Sequence, residues 1–187
     1  SFFRDDDTLG KPAVGAGFVE VQAGARLSTA AGGRVFLFAE EVSNAGQIST
    51  PQGQTVLAAG TAVHLQDPTR ETLYASEVNP AIPALRGLLV EVDGSGQVRQ
   101  DGVIDTPRGN TTLVGLAVNL GGRISATTSV AENGSVLLLA RSGTQASFNT
   151  TGTLVKQATQ GGTLALERGA SVRVLPDTTP VDRKSVV

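Results

Sequence analysis

The apolar residues of this chain alternate with polar ones or gather in short runs, such as 35–39 and 136–140, and Gly, Asn, Asp or Pro closes nearly every run. Alternation over a few residues predicts strands, because successive side chains of a strand point to opposite faces, and the closing residues are those that turns prefer. No stretch keeps apolar residues at i, i+3, i+4 and i+7, although residues 73–85 have room for one short helical turn. The predicted class is all-β with helix nearly absent.

Laid against itself, the first third of the chain matches at an offset of 21 residues. Val14, Val35 and Val56 then fall in one column, Val21, Val42 and Val63 in a second, and Leu27 with Ile48 in a third, while Ser28-Thr29 meets Ser49-Thr50. Three apolar columns imply three strands per unit. One such unit cannot bury its inward face alone, but copies stacked about 4.8 Å apart turn each column into a continuous apolar stack. The pattern returns later. Residues 48–55 (Ile-Ser-Thr-Pro-Gln-Gly-Gln-Thr) are echoed by 104–111 (Ile-Asp-Thr-Pro-Arg-Gly-Asn-Thr), 42–48 by 118–124 and 33–37 by 134–138, and 162–166 begins a further copy. The architecture expected is a right-handed parallel β-helix, or β-solenoid, of about seven or eight coils and roughly 35–40 Å in length. Its corners carry Pro, which presets φ, or Gly, which supplies positive φ, and column asparagines such as Asn44 and Asn119 suit left-handed corner positions.

Three places break the period. Residues 65–86 contain Pro68, Pro80 and Pro83 without clean alternation and read as a lateral loop on the coil's flank. Residues 126–133 lengthen the next coil by a few residues, and 141–152 form another excursion. The organisation expected is a lead-in over 1–13, the β-helix over 14–175 with its lateral insertion near 65–86, and a tail or the start of a next coil over 176–187.

Composition narrows the functional classes. Apolar residues make up 40% and charged residues 17%, enough apolar surface for a core in 187 residues. The 15 basic and 17 acidic residues are unclustered and aromatics are few, which argues against nucleic acid as a partner. With no Cys there is no disulfide framework, thiolate metal site or thiol redox chemistry. No run approaches a membrane span of about 20 apolar residues. The chain lacks Met and opens on Ser1, so it reads as a processed or excised piece.

Candidate chemistry is sparse. Glu20 and Glu41 share a column at the 21-residue offset, which would put two carboxylates on adjacent coils within reach of acid/base or metal work; without a longer stack they read as a solvated edge. Asp5-Asp6-Asp7 lacks the spacing of a calcium loop and reads as a solvated terminus. His64, the single histidine, follows a valine assigned inward and is expected to face solvent, so that its removal is silent. Asn110, Asn133 and Asn149 head glycosylation-type sequons. Gly32-Gly33 and Gly121-Gly122 have no helix after them and read as corners rather than phosphate cradles. No catalytic, cofactor or metal residues are assigned, and the chain is not expected to be an enzyme. The stiff loop near 65–86 holds the only tyrosine, and Tyr74, Arg70 and Glu71 are its candidate contact residues.

The segments 24–27, 33–37, 42–48, 53–60, 86–92, 115–119 and 123–129, taken in order, resemble the repeats of filamentous haemagglutinin-like exoproteins over roughly residues 15–175. The resemblance implies two-partner secretion: export through an outer-membrane pore transporter, then folding as a β-helix at the bacterial surface. That family's secretion domain carries Asn-Pro-Asn-Gly and Asn-Pro-Asn-Leu motifs. Here Asn79-Pro80 continues as Ala81-Ile82, which places the chain inside the passenger, downstream of that domain or across its end. The function expected is that of a structural and adhesive passenger segment of a secreted adhesin whose partner is a host-cell or neighbour-cell surface molecule. The rivals are a polysaccharide-active β-helix enzyme, a stalk for a contact-dependent toxin and a part in recognition by the pore transporter.

Overall fold

A computed structural model of the chain describes residues 17–66, 87–128, 134–148 and 154–177. The strands follow one another as rounds. The first consists of β1 (Phe18–Val21), β2 (Arg26–Ser28) and β3 (Arg34–Ala39), and the second of β4 (Glu41–Asn44), β5 (Gln47–Ser49) and β6 (Gln54–Ala59). After a pair of strands, β7 (Ala62–Gln66) and β8 (Leu89–Asp93), the third round comprises β9 (Gln97–Gln100), β10 (Val103–Pro107) and β11 (Asn110–Gly115). The fourth is β12 (Ala117–Leu120), β13 (Arg123–Thr128) and the first part of β14 (Ser135–Phe148); β15 (Leu154–Gly161) follows, and β16 (Thr163–Leu166) and β17 (Ser171–Pro176) begin a fifth.

Each round gives one strand to each of three sheets, and within a sheet the rounds pair in parallel: β1-β4-β9-β12-β16, β2-β5-β10-β13-β17 and β3-β6-β11-β14. No helix occurs among the described residues, and the arrangement is compatible with a β-solenoid. Registered pairing stacks like on like. The inward columns are Val19, Val42, Val98, Val118 and Leu164 in the first sheet, and Leu27, Ile48, Ile104, Ile124 and Val172 in the second. In the third they are Leu37, Leu57, Leu113 and Leu138. These columns meet in one core, in which Ile48, Leu57, Ile104, Leu113 and Ile124 are fully buried.

The later echoes seen in the sequence are stacked registers: Ile48 lies beside Ile104, and Arg34, Gln54, Asn110 and Ser135 form one row. The single 21-residue offset holds only in the second sheet, where Leu27 pairs with Ile48. In the first sheet Val42 lies beside Val19 and Val98, not Val21 and Val63, and in the third Val35 lies beside Thr55 while Phe36 lies beside Val56. The reason is corner length. The corner after β1 (22–25) is longer than the one after β4 (45–46), and that after β2 (29–33) is longer than that after β5 (50–53), so the offset changes at each corner. The coil lengthening expected near 126–133 is present, since Ile104 pairs with Ile124 but Leu113 pairs with Leu138.

Four rounds and two strands of a fifth are found among the described residues, fewer than the seven or eight coils counted from the sequence. The count took nearly all of 14–175 as coils, whereas residues 87–96 and 141–161 lie in lateral hairpins.

The corners follow the expectation in part: Gly24, Gly32 and Gly169 supply positive φ, and Pro51 and Pro107 stand at corners. Positive φ falls on Gln52 (54°) and Arg108 (55°), after Pro51 and Pro107, and on Gly32 in the first round. Gly53 and Gly109 are required for another reason: a Cβ on Gly53 would stand 1.8 Å from the Gly33 carbonyl oxygen, and one on Gly109 2.5 Å from that of Gly53. Asn44 and Asn119 are not in the left-handed region. Buried Asn44 instead accepts a hydrogen bond from Gly46 N (3.1 Å) and donates to Gln100 Oε1 in the next round (2.7 Å).

Ile48→Asp is expected to abolish cooperative unfolding at any urea concentration where the parent is folded, since an unpaired charge in a closed column costs several kcal/mol. Glu20→Ala, on the exposed outer side, should leave the urea midpoint unchanged. A parent-like midpoint for Ile48→Asp would mean the inward column is wrongly assigned.

Candidate functional site

Besides the lengthened corner after β13, the stack departs from regularity between the third sheet and the first. Rounds one and three turn there directly, at Glu40 and Leu116, whereas rounds two and four each send out an antiparallel hairpin. The first leaves after Ala59 and returns at Gly96, which is wider than the 65–86 insertion expected. A Cβ on Gly60 would lie 2.4 Å from the Asp93 oxygen and one on Gly96 2.1 Å from the Ala59 backbone, so both roots admit only glycine. Val63, Val90 and Val92 alternate onto one side of β7 and β8 and pack against Val56, Ala58 and Val114 on the outside of the third sheet. Buried Gln54 anchors the hairpin by donating to Leu88 O (2.8 Å) and accepting from Leu88 N (2.9 Å).

The second hairpin is the continuation of β14 beyond Ala140, with Arg141 opposite Gly161 and Phe148 opposite Leu154. The sequence reading placed an excursion at 141–152, and the hairpin extends it to Gly161. Hairpins on alternate rounds sit two strand spacings apart, about 10 Å, which is the distance at which two β layers interdigitate their side chains.

Polar side chains fill the seam between them. His64 and Glu91 lie opposite each other on the side of the first hairpin away from Val63 and Val92. His64 Nε2 lies 2.7 Å from Asp93 Oδ2, and His64 Nδ1 lies 2.9 Å from Lys156 Nζ of the second hairpin. An ammonium can only donate, so Nδ1 accepts and Nε2–H donates to Asp93. Thr144 N also donates to Asp93, Ser142 Oγ donates to Gly94 O (2.6 Å), and Arg141 Nη2 donates to Glu91 Oε1. The His64 and Thr144 hydrogen bonds hold the Asp93 carboxyl below its ordinary range, while burial pushes that of Glu91 up against the opposing pull of Arg141. Lys156 occupies the place that a hydroxyl nucleophile would take before a His-Asp pair. The trio ties the first hairpin to the second.

Beside this seam is a groove of about 550 Å³. Leu137 and Leu139, on the outside of β14, line it together with Gln66, Leu89 and Glu91 of the first hairpin and residues 156–161 of the second. Three buried polar atoms of its lining, Gln66 Nε2, Glu91 Oε2 and Arg141 Nε, have no hydrogen-bond partner in the protein.

The expected contact residues Arg70, Glu71 and Tyr74 lie outside the described residues, as do Asp5, Asp6, Asp7, Asn133 and Asn149. Glu20 and Glu41 do not share a row: Glu20 is opposite Ser43 and Glu41 opposite Phe18, and both are exposed. Asn110 is 2% exposed and accepts from Ser135 Oγ (2.7 Å), so its side chain is closed to glycosylation once the chain is folded. His64 was expected to face solvent; it is half-buried and joined to both hairpins. Among the described residues no group of three or more His, Cys, Asp or Glu is placed to hold a metal ion, and no helix is long and apolar enough to cross a membrane.

Asp93, Glu91, Arg141 and Lys156 escaped sequence reasoning because their meeting depends on two hairpins far apart in the chain. The available signal was the stretch 135–148, which holds no Pro, Asn or Asp and is too long for a single face of the stack.

His64→Ala is expected to lower stability by about 1 kcal/mol in urea titrations at neutral pH, through loss of the bridge between the hairpins. Asp93, with its carboxyl held low, favours folding above its ordinary pKa, and this contribution is lost as pH falls through the lower folded value. Asp93→Asn should therefore cost stability at neutral pH and flatten its decline below about pH 4; an unchanged acid limb would show that the carboxylate contributes nothing. No family model, curated protein or solved structure matches the chain, so its functional reading rests on this geometry and on the sequence.

Proposed function

We propose that this chain is a structural and adhesive segment of right-handed parallel β-helix from a secreted bacterial surface exoprotein of the filamentous haemagglutinin-like kind, exported through an outer-membrane pore transporter. The observation that carries the reading is the division of labour in the fold: stacked rounds form a rigid support, and both hairpins are gathered on one flank with their polar side chains facing each other. A connection that returns to a parallel sheet is right-handed in nearly all known folds, which supports the hand. Stacked rounds also suit export of an unfolded chain, because each needs only its predecessor as a template. The absence of Cys removes the hazard of disulfide formation on the way. The protein performs no catalysis in this reading; its partner is a molecule on a host or neighbouring cell, and specificity belongs to the hairpin flank.

Beads coated with the chain should attach to epithelial cells. Replacing residues 67–86, which connect β7 to β8, by a short Gly-Ser link should reduce attachment severalfold while the β-type circular dichroism spectrum and melting temperature stay close to those of the parent. Attachment unchanged per folded molecule, with a melting temperature lowered by many degrees, would reduce that segment to packing and move the contact elsewhere.

A further inference from the structure

The seam between the hairpins contains one group whose two protonation states make different contacts. His64 Nε2 lies 2.7 Å from Asp93 Oδ2 within the first hairpin, and Nδ1 lies 2.9 Å from Lys156 Nζ of the second. An ammonium has no lone pair to offer, so the contact with Lys156 exists only while Nδ1 is unprotonated. The Nε2–H bond to Asp93, by contrast, is the same in imidazole and imidazolium. Protonation therefore keeps the bond inside the first hairpin and removes the one between hairpins, leaving an N–H that faces an ammonium.

The ring lies on the side of the first hairpin away from the third sheet, onto which Val63 and Val92 pack. The charged groups described around it are Asp93 and Glu91 of its own hairpin and Lys156 and Arg141 of the second. Glu91 and Arg141 are paired with each other and largely cancel. Asp93, whose carboxyl the His64 and Thr144 hydrogen bonds hold below its ordinary range, stays ionised and favours the imidazolium; Lys156 opposes it. Of these two, Lys156 is the one free to leave, since it stands on a flexible stem and Asp93 is also held by Thr144 N. The His64 side chain is 25% exposed and can exchange a proton with water. An imidazole is the side chain whose ordinary charge change falls between about pH 5 and 8.

The contact that titrates is also the one that holds the outer part of the second hairpin. Near the root, Ser142 Oγ donates to Gly94 O and Thr144 Oγ1 to Val92 O (3.2 Å), and none of these groups titrates. Beyond Thr144, Lys156 makes the only hydrogen bond to the first hairpin among the described residues. Residues 156–161 form one wall of the groove, and Gln66 and Leu89 of the first hairpin stand in the other, so release of Lys156 widens it.

We propose that protonation of His64 frees the outer part of the second hairpin from the first, so that this flank is closed at neutral pH and opens as the medium turns acid. The closed form binds one proton fewer at His64 than the open form, so falling pH favours opening, by at most about tenfold per pH unit. The inference rests on the seam alone and holds whether or not the segment is adhesive.

The chain contains one histidine and no cysteine, so its imidazole signals in NMR are unambiguous and two introduced cysteines carry spin labels at defined places. Leu65→Cys, exposed on the first hairpin one residue from His64 and on the opposite side, and Gln157→Cys, exposed on the second, report the separation of the hairpins in the full chain by double electron–electron resonance. At about pH 8 the ring should carry its proton on Nε2 and the labels should show one short separation; towards about pH 5 that population should be lost in step with the titration of the ring. Lys156→Gln, whose amide can donate to Nδ1 or accept from it, should keep the short separation across the whole range. His64→Gln, which does not titrate, should do the same. Should His64→Gln not fold, Lys156→Gln, at a partly exposed position, decides alone. The proposal is overturned if the parent shows one separation throughout, if Nδ1 carries the proton at the upper pH, or if either variant opens with pH as the parent does, which would assign the change to Glu91 or Asp93.

Discussion

The rest of this structure depends on the parallel backbone hydrogen bonds that join each round to the next. They fix neighbouring strands about 4.8 Å apart, so whatever stands at one place in a round has its counterpart in direct contact above and below. Apolar residues then bury one another, as Ile48 does between Leu27 and Ile104. Several polar residues directed inward are paired locally: Thr50 with Thr55 (2.8 Å), Thr106 with Thr111 (3.1 Å), and Asn44 with Gln100 across rounds, although Gln100 Nε2 has no partner in the protein. Corners obey the same spacing. Gly46, Gly102 and Gly122 stack so closely that a Cβ on Gly102 or Gly122 would stand 2.1 Å from the carbonyl oxygen of the glycine before it.

That constraint leaves little freedom for function on the stack itself. Any side chain of an outer face that becomes larger or charged must be tolerated beside its counterparts one round away, as Arg26 is beside Gln47 and Arg99 beside Ser43. The corner between the third and first sheets escapes the constraint, because a hairpin rooted in one round leaves the registers on either side intact. Round three, which turns directly at Leu116, spaces the two hairpins so that a layer of side chains fits between them. His64, Asp93 and Lys156 close one part of that layer, and Glu91 and Arg141 open onto the groove in another.

Much of the fold was legible because the columns are written directly in the sequence. The match of 48–55 to 104–111 is a stacked register, and Leu27 over Ile48 was assigned correctly. The column of Val35 and Val56 and that of Val21, Val42 and Val63 were misaligned because a constant offset assumes corners of constant length, and corner length is set by local turn geometry that apolar periodicity does not record. The segment 87–92, which resembles the stacked repeats, lies in a hairpin instead. Its Val90 and Val92 bury themselves as a solenoid strand would, but against the outside of the third sheet. The seam was hidden more deeply, since contacts between residues as distant as His64 and Lys156 follow from which rounds carry hairpins, a property of the whole stack.

The exposure of the apolar columns can be explained by the same spacing. Val172 is 37% exposed although Ile124, beside it in the column, is fully buried, and Leu164 is 41% exposed beside fully buried Val118. Inward residues of the last described round have a neighbour on one side only, and their exposure is that of a stack's final layer rather than of a separate apolar patch. The groove differs in kind. Glu91 lies on the side of the first hairpin away from the third sheet, with Oε1 taken by Arg141 and Oε2 without a partner. Adding rounds would cover Val172 and Leu164, but it would leave Glu91 as it is, because both hairpins are rooted in rounds already complete. For that reason the apolar exposure at the end of the stack marks no separate site.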